Sequence, residues 1–193
     1  MNIRKIMGVA RQAALDAGRL QLKYFGKLKT SEISQKSKND FVTTVDKMSE
    51  RLILGRILKI FPDHSVQAEE SLPAGQAGGL TAGGGTRWII DPLDGTSNYI
   101  HQFPMFAVSI GVAHQGKVIA GVIYDPLHRE LFTAHRGGGA YLNGRRFHVS
   151  RVARLSGAFM ATGIPFRARN RFQRYFRSLK IISLASAGMR RGG

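Results

Sequence analysis

The sequence predicts an α+β fold in which two N-terminal helices pack on an antiparallel sheet, and three observations carry it. Ile3, Ile6, Ala10, Ala13, Ala14, Ala17 and Leu20 recur at helical spacing. Met48, Leu52, Ile53 and Ile57 repeat that spacing further on. From Trp88 onward the pattern changes to alternating β-type runs broken by Gln115-Gly116 and Asn143-Gly144, of which Asn-Gly is the stronger hairpin signal.

Each element follows in chain order. The first helix runs from Ile3 to Phe25 and stops at Gly26. "QKSKNDFVTTVD", Gln35 to Asp46, reads as a flexible loop with a short extended piece at Phe41-Val42. A second helix is capped at Thr43 or Thr44 and ends near Phe61-Pro62. "SVQAEES" is a short strand closing on acids. Residues 72–86, beginning "LPAGQAGGLTAGGG", have no periodic pattern and read as a Gly-rich surface loop. "RWIID", "AVSIGVAHQGKVIAGVIYD" and "ELFTAHRGGGAYLNGRRFHVS" form an antiparallel meander. After Ser150 come a strand in "GAFMATGIP" and a basic helix at about Arg169 to Leu179.

Bulk properties bound the class. The 193 residues fit a single domain, and 43% hydrophobic content is ordinary for a globular chain. There is no cysteine, which removes disulfides and thiolate metal sites. No apolar run approaches the ~20 residues that span a bilayer, so no membrane partner is expected. The N-terminus is amphipathic and interrupted by Arg11, Gln12 and Asp16, unlike a secretory signal. These features place the chain in the cytoplasm. The net charge is +17, from 29 Lys and Arg against 12 acids. Such a surface favours polyanions. The basic residues are spread out apart from "RARNRFQRYFR", Arg167 to Arg177, so weak nucleic-acid association ranks as a secondary property.

The chemistry is in the acids. Glu69 and Glu70 close one strand, and Asp91 and Asp94 bracket Pro92 at the end of another. Carboxylates without cysteine suit hard cations, Mg²⁺ above all, which take one or two carboxylates, waters and substrate phosphate. Pro92 fixes the backbone, so the Leu93 carbonyl can also face a metal. Gly95 permits close backbone approach, and "GTSNY" reads as a helix start whose N–H groups suit phosphate. An Asp-Pro turn with a helix cap explains the same letters without function. His101, His128, His135 and His148 are too scattered for zinc. Ser97 and Ser109 lack a His-Asp partner set, and "RGGGAYLNGRR" lacks the P-loop Lys-Ser/Thr.

In combination, "AEES", "WIIDPLDGTSNYIHQFPMFAVSIGVAHQGKVIAGVIYDP" and "ELFTAHRGGGAYLNGRR" resemble the inositol monophosphatase family. These are Mg²⁺-dependent, lithium-sensitive phosphatases of the sugar-phosphatase superfamily, with a layered αβαβα fold. "KSKNDFVTTVD" is similar to the family's mobile loop, and "SAGMRRGG" to the approach to its C-terminal half. The resemblance implies two or three Mg²⁺ ions. Glu69 would bridge metal and orient the attacking water, Asp91 would bridge two metals, and the Leu93 carbonyl would join the first. Asp94 would bind the second metal and a substrate hydroxyl. Thr96 would act with Glu69 on the water, and the Gly95 and Thr96 N–H groups would hold phosphate. Lys36 and Asp46 would approach a third metal, with Glu70 in the outer sphere. Ala68 stands where many relatives carry Gly. The family continues beyond the length seen here, into a W-D-x-A-A-G-like segment whose Asp completes the second metal. On that reading the domain is incomplete at its C-terminus, its C-terminal layers are largely missing, and its activity is impaired.

The expected reaction is hydrolysis of a small phosphorylated polyol, inositol monophosphate first, by a homodimeric enzyme. The alternatives are a phosphatase for fructose bisphosphate or a 3′-phosphoadenosine nucleotide, and a non-catalytic scaffold that binds RNA or a transcription complex.

Overall fold

The computed structural model describes residues 2–37, 40–70, 85–164 and 169–191, without the side chains of residues 36, 37, 40 and 169. Contacts divide the chain into two units, Met1–Phe147 and His148–Gly193.

The first unit opens with α1 (Ile3–Tyr24). The Asn2 side chain caps it by accepting from the Lys5 N–H at 3.1 Å. The chain leaves α1 through Phe25 and turns at Gly26, whose φ of 73° suits glycine. A hairpin of β1 (Ile33–Ser37) and β2 (Asp40–Thr43) follows. Gln35 to Ser37 therefore pair as strand instead of forming the expected loop. The alternate backbone groups of Ile33 to Gln35 find partners in Phe41 to Thr43, which outweighs the polar composition. Helix α2 (Thr44–Ile60) starts on a capping box. Thr43 Oγ1 accepts from the N–H groups of Val45 and Asp46, and Asp46 Oδ2 accepts from the Thr43 N–H at 2.8 Å.

Strands β3 (Ser65–Ala68), β4 (Thr86–Asp94), β5 (Ala107–His114), β6 (Lys117–Asp125), β7 (Glu130–His135), β8 (Gly139–Leu142) and β9 (Arg145–Phe147) form one seven-stranded sheet in that order. A short helix, α3 (Thr96–Ile100), lies between β4 and β5. All neighbours are antiparallel except β3 and β4. The predicted meander holds from β4 onward. β3 is the departure, because a parallel neighbour needs a long connection in place of a hairpin. The Gly-rich stretch supplies that connection. Its residues 71–84 lie outside the described residues, and its last residue, Thr86, is buried at the start of β4. Gln115 and Gly116 (φ 50° and 73°) and Asn143 and Gly144 (φ 49° and 80°) have the paired positive φ of tight hairpin turns.

The core lies between the two helices and one sheet face. Trp88, Ile90, Val108, Ile110, Val112 and Val122 meet Ile6, Ala10, Ala13, Ala14 and Ala17 of α1 and Ile53 and Ile57 of α2. Alanines let α1 approach the strands closely. Each fully buried large side chain contributes about 1.5–3 kcal/mol. Two glycines of α1 test this packing with opposite signs. A Cβ on Gly18 would sit 2.4 Å from the Tyr124 ring and 3.1 Å from Pro126 Cβ, whereas one on Gly8 meets nothing within 4 Å. Gly18→Ala should lower stability by about 1–3 kcal/mol through overpacking. Gly8→Ala should raise it by about 0.5–1 kcal/mol through helix propensity. Thermal melts of the two variants should move in opposite directions.

In the second unit, β10 (Phe159–Thr162) pairs in parallel with β11 (Gly188–Arg191), and α4 (Phe172–Ala185) connects them. The basic helix thus starts later and runs further than predicted. The apolar Ile181, Ile182 and Leu184 continue it, and residues 169–171 form a 3₁₀ turn ahead of it. Among the described residues no helix is long and apolar enough to cross a membrane.

Candidate active site

The acids converge because of three backbone devices. First, the ladder between β3 and β4 extends one residue past Ala68, with the Glu69 N–H donating to the Ile90 carbonyl at 3.1 Å. This sets Glu69 beside Asp91. Second, β4 bulges: Asp91 stands opposite Ser109 and Asp94 opposite Ala107, so β4 takes one more step than β5. Pro92 sits in the bulge, where its missing N–H leaves no ladder position unpaired. The expected Asp-Pro turn is therefore a bulged strand that continues to Asp94. Third, Gly95 adopts a left-handed φ of 95° and caps α3. A Cβ there would lie 3.0 Å from the Met105 carbonyl oxygen and 3.3 Å from Phe106 Cα, so both conformation and space demand glycine.

The capping box of α2 supplies a fourth acid. Asp46 is 1% exposed. Its Oδ2 takes the Thr43 N–H and the Thr43 hydroxyl, and its Oδ1 accepts from the Thr96 hydroxyl at 2.8 Å. Thr96 Oγ1 also lies 3.1 Å from the Leu93 carbonyl. The structure thus joins Thr96, Asp46 and Leu93 in one hydrogen-bonded set, next to the group of Glu69, Asp91 and Asp94. Glu70 donates its backbone N–H to Glu50 Oε2 at 2.8 Å. The Lys36 side chain lies outside the described residues.

Sequence reading missed two supports. Gln21, fully buried at the end of α1, donates from Nε2 to the Pro92 carbonyl at 2.7 Å. Its own carbonyl accepts from the Tyr99 hydroxyl at 2.7 Å. These bonds hold the bulge from below. The signal was a polar residue in register with the buried stripe Ala10, Ala14 and Ala17. Glu50, 5% exposed on α2, is the other, and a buried acid on a helix face was its signal.

The electrostatics follow from crowding. Asp91 is pushed up to about 8, first by burial, then by the carboxylates of Glu69 and Asp94 and a hydrogen bond with Glu69; the Leu93 N–H at 3.1 Å partly offsets this. Burial, then Glu69, raises Asp94 as well. Burial raises Asp46, against the pull of its bonds to Thr43 and Thr96. Without metal, the folded chain therefore keeps a proton at Asp91 that the unfolded chain, with its carboxyl at 3.8, has lost. Stability should be unaffected below pH 3.8 by this group, should fall as pH rises from there to about 8, and should level off above. Melts in chelator at pH 5 and pH 8 should show the lower midpoint at pH 8, and Mg²⁺ should narrow the gap.

Among the described residues no three acids or imidazoles form a ready-made metal cage. Mg²⁺ does not require one, since it keeps waters and shares one or two carboxylates with phosphate. A half-buried Asp91, raised by burial and by the neighbouring carboxylates of Glu69 and Asp94, fits a site completed by a hard cation.

Comparison with known proteins gives a consistent picture. The family model described as the inositol monophosphatase family matches residues 2–193. Nus factor SuhB of Escherichia coli (strain K12) is 42% identical over 188 residues, covering 97% of this chain and 68% of its own. The fructose-1,6-bisphosphatase/inositol-1-monophosphatase of Aquifex aeolicus (strain VF5) is 41% identical over 192 residues, covering 100% of this chain and 70% of its own. Among solved structures, the extragenic suppressor protein suhB from Bartonella henselae superposes with a TM-score of 0.87 at 38% identity, over 98% of this chain and 70% of that one.

Proposed function

The chain belongs to the inositol monophosphatase family, and on that premise we propose that it hydrolyses a small phosphate monoester, inositol monophosphate first, with Mg²⁺ at the Glu69–Asp91–Asp94 cluster. The observation that carries this reading is the convergence of Glu69, Asp91 and Asp94, set by the Glu69–Ile90 backbone bond and the β4 bulge, with the Asp91 carboxyl pushed up by burial and its two neighbours. Crowded acids at a strand end favour a cation there. The side chains of Glu69, Asp91 and Asp94 would hold it, with the Leu93 carbonyl. When bound, Mg²⁺ supplies a more acidic water and neutralises charge on the transferring phosphoryl group.

The chain's own residues do the positioning. Thr96 donates its hydroxyl proton to Asp46, which leaves its lone pairs to accept from a water. Glu69 would take a proton from that water as it attacks phosphorus, the ester P–O bond would break, and the leaving alkoxide would take a proton from solvent water. The N–H groups of Gly95 and Thr96 orient the phosphate, and Asp94 accepts from a substrate hydroxyl. Asp46 we assign to holding Thr96, in addition to the helix cap. Lys36 remains a proposed contact at the edge of the site.

The substrate is settled by phosphate release from a panel of inositol monophosphate, fructose 1,6-bisphosphate and 3′-phosphoadenosine 5′-phosphate, each with and without Mg²⁺. We expect Mg²⁺-dependent release, fastest from inositol monophosphate. Release at the same rate with and without Mg²⁺, or no Mg²⁺ binding at the acid cluster, would end the phosphatase reading. The Aquifex relative, whose name carries two substrates, makes the bisphosphate the first rival. A homodimer is proposed with the enzyme, and solution mass measures it.

A second reading rests on α4. Arg171, Arg174 and Arg177 recur every third residue beside Phe172, Tyr175 and Phe176, the last 48% exposed. Cations interleaved with aromatics suit single-stranded RNA. A relative named as a Nus factor gives this reading weight. Binding of a single-stranded RNA that weakens steeply with salt supports it, and no binding at low salt removes it.

A further inference from the structure

We propose that a cavity between the N-terminal half of α1 and strands β7 and β8 is a second ligand site, taking a small flat apolar molecule with an anionic head. Its volume is about 430 Å³, within the range of small-molecule pockets. The inference does not depend on the phosphatase reading.

One wall comes from α1. Arg4, Met7, Gly8 and Arg11 are spaced i, i+3, i+4 and i+7, so they form a single stripe, and all four line the cavity. Gly8 makes the room, because a Cβ built on it meets nothing within 4 Å. A larger residue at this position would fill the space. The other wall comes from the sheet. Leu131 and Thr133 are two apart on β7 and so share a face, and Tyr141 stands opposite Thr133 on β8. The Tyr141 hydroxyl donates to the Gly138 carbonyl at 3.0 Å, which fixes the ring as a flat surface.

The lining states the ligand's chemistry. Met7, Leu131 and the Tyr141 ring offer an apolar body two surfaces. Arg4 and Arg11 offer an anion their guanidinium groups, and among the described residues no acid lines the cavity. Arg11 precedes Gln21 by ten residues of α1, or about 15 Å along the helix axis, so this site is separate from the acid cluster.

Naphthalene-2-sulfonate is a suitable probe, since it is flat, anionic and not hydrolysed by a phosphatase. Titration followed by calorimetry should show saturable binding to the chain. Gly8→Leu should abolish it while leaving the thermal midpoint in place or raised. The double variant Arg4→Ala/Arg11→Ala should weaken it by about tenfold or more. Asp91→Asn should leave it unchanged. Inorganic sulfate should bind far more weakly, as the apolar body is missing. The proposal is overturned by no saturation up to about 10 mM, by affinity that survives both Gly8→Leu and the double arginine variant, or by affinity that falls with Asp91→Asn instead.

Discussion

Asp91→Asn is expected to lower Mg²⁺-dependent turnover by about 100-fold or more, the range seen when a key electrostatic contact is removed. The amide has the shape of the carboxylate and can still accept from the Leu93 N–H, so the bulge should stand. What it loses is the charge between Glu69 and Asp94. A second measurement separates this from misfolding. In the native chain the proton held on Asp91 competes with Mg²⁺, because that carboxyl is pushed up to about 8. Apparent Mg²⁺ affinity should therefore rise with pH up to about 8, and binding should release a proton below that value. Calorimetry in two buffers of different ionisation enthalpy counts the proton. In Asp91→Asn that release should vanish. The metal-free variant should also melt higher than the native chain above pH 8, since one of three crowded acids is gone. Unchanged turnover, or undiminished proton release, would sink the assignment.

Much of this arrangement could be read from the sequence, for identifiable reasons. Helix α1, the cap at Thr43 and the two positive-φ hairpins are local features, and local rules place them. The grouping of Glu69 with Asp91 needed only two adjacent strand ends. What local rules could not show is direction and depth. That β3 runs parallel to β4 depends on a connection through residues with no periodic pattern. Asp-Pro-Leu-Asp has the letters of a turn, and it becomes a bulge because β5 pairs with both of its ends. Gln21 lies 71 residues from Pro92 in sequence, so its support of the bulge is a tertiary fact. Asp46 is the instructive case. Its helix cap was legible, but its bond to Thr96 joins residues 50 apart and changes what the acid is for.

That bond makes the second large prediction. Thr96→Ala should lower kcat by about 100-fold with KM within roughly threefold, as expected for a group that positions the attacking water and not the substrate. Thr96→Ser keeps the hydroxyl and should recover most of the rate. Asp46→Asn should act differently. Asp46 accepts three hydrogen bonds, two from Thr43 and one from Thr96, and an amide cannot accept all of them. Either the cap of α2 loses an acceptor or the Thr96 hydroxyl turns round to accept, which removes the lone pair the water needs. Asp46→Asn should therefore lower kcat and also stability, the latter by about 1–2 kcal/mol of lost capping, seen as a lower thermal midpoint. Thr96→Ala takes the donor from the buried Asp46 Oδ1 and should lower the midpoint as well, so Thr96→Ser is the deciding variant. No recovery of kcat by serine where the midpoint is restored would mean that the pair serves only the fold, and the proton taken from water would then need a different guide.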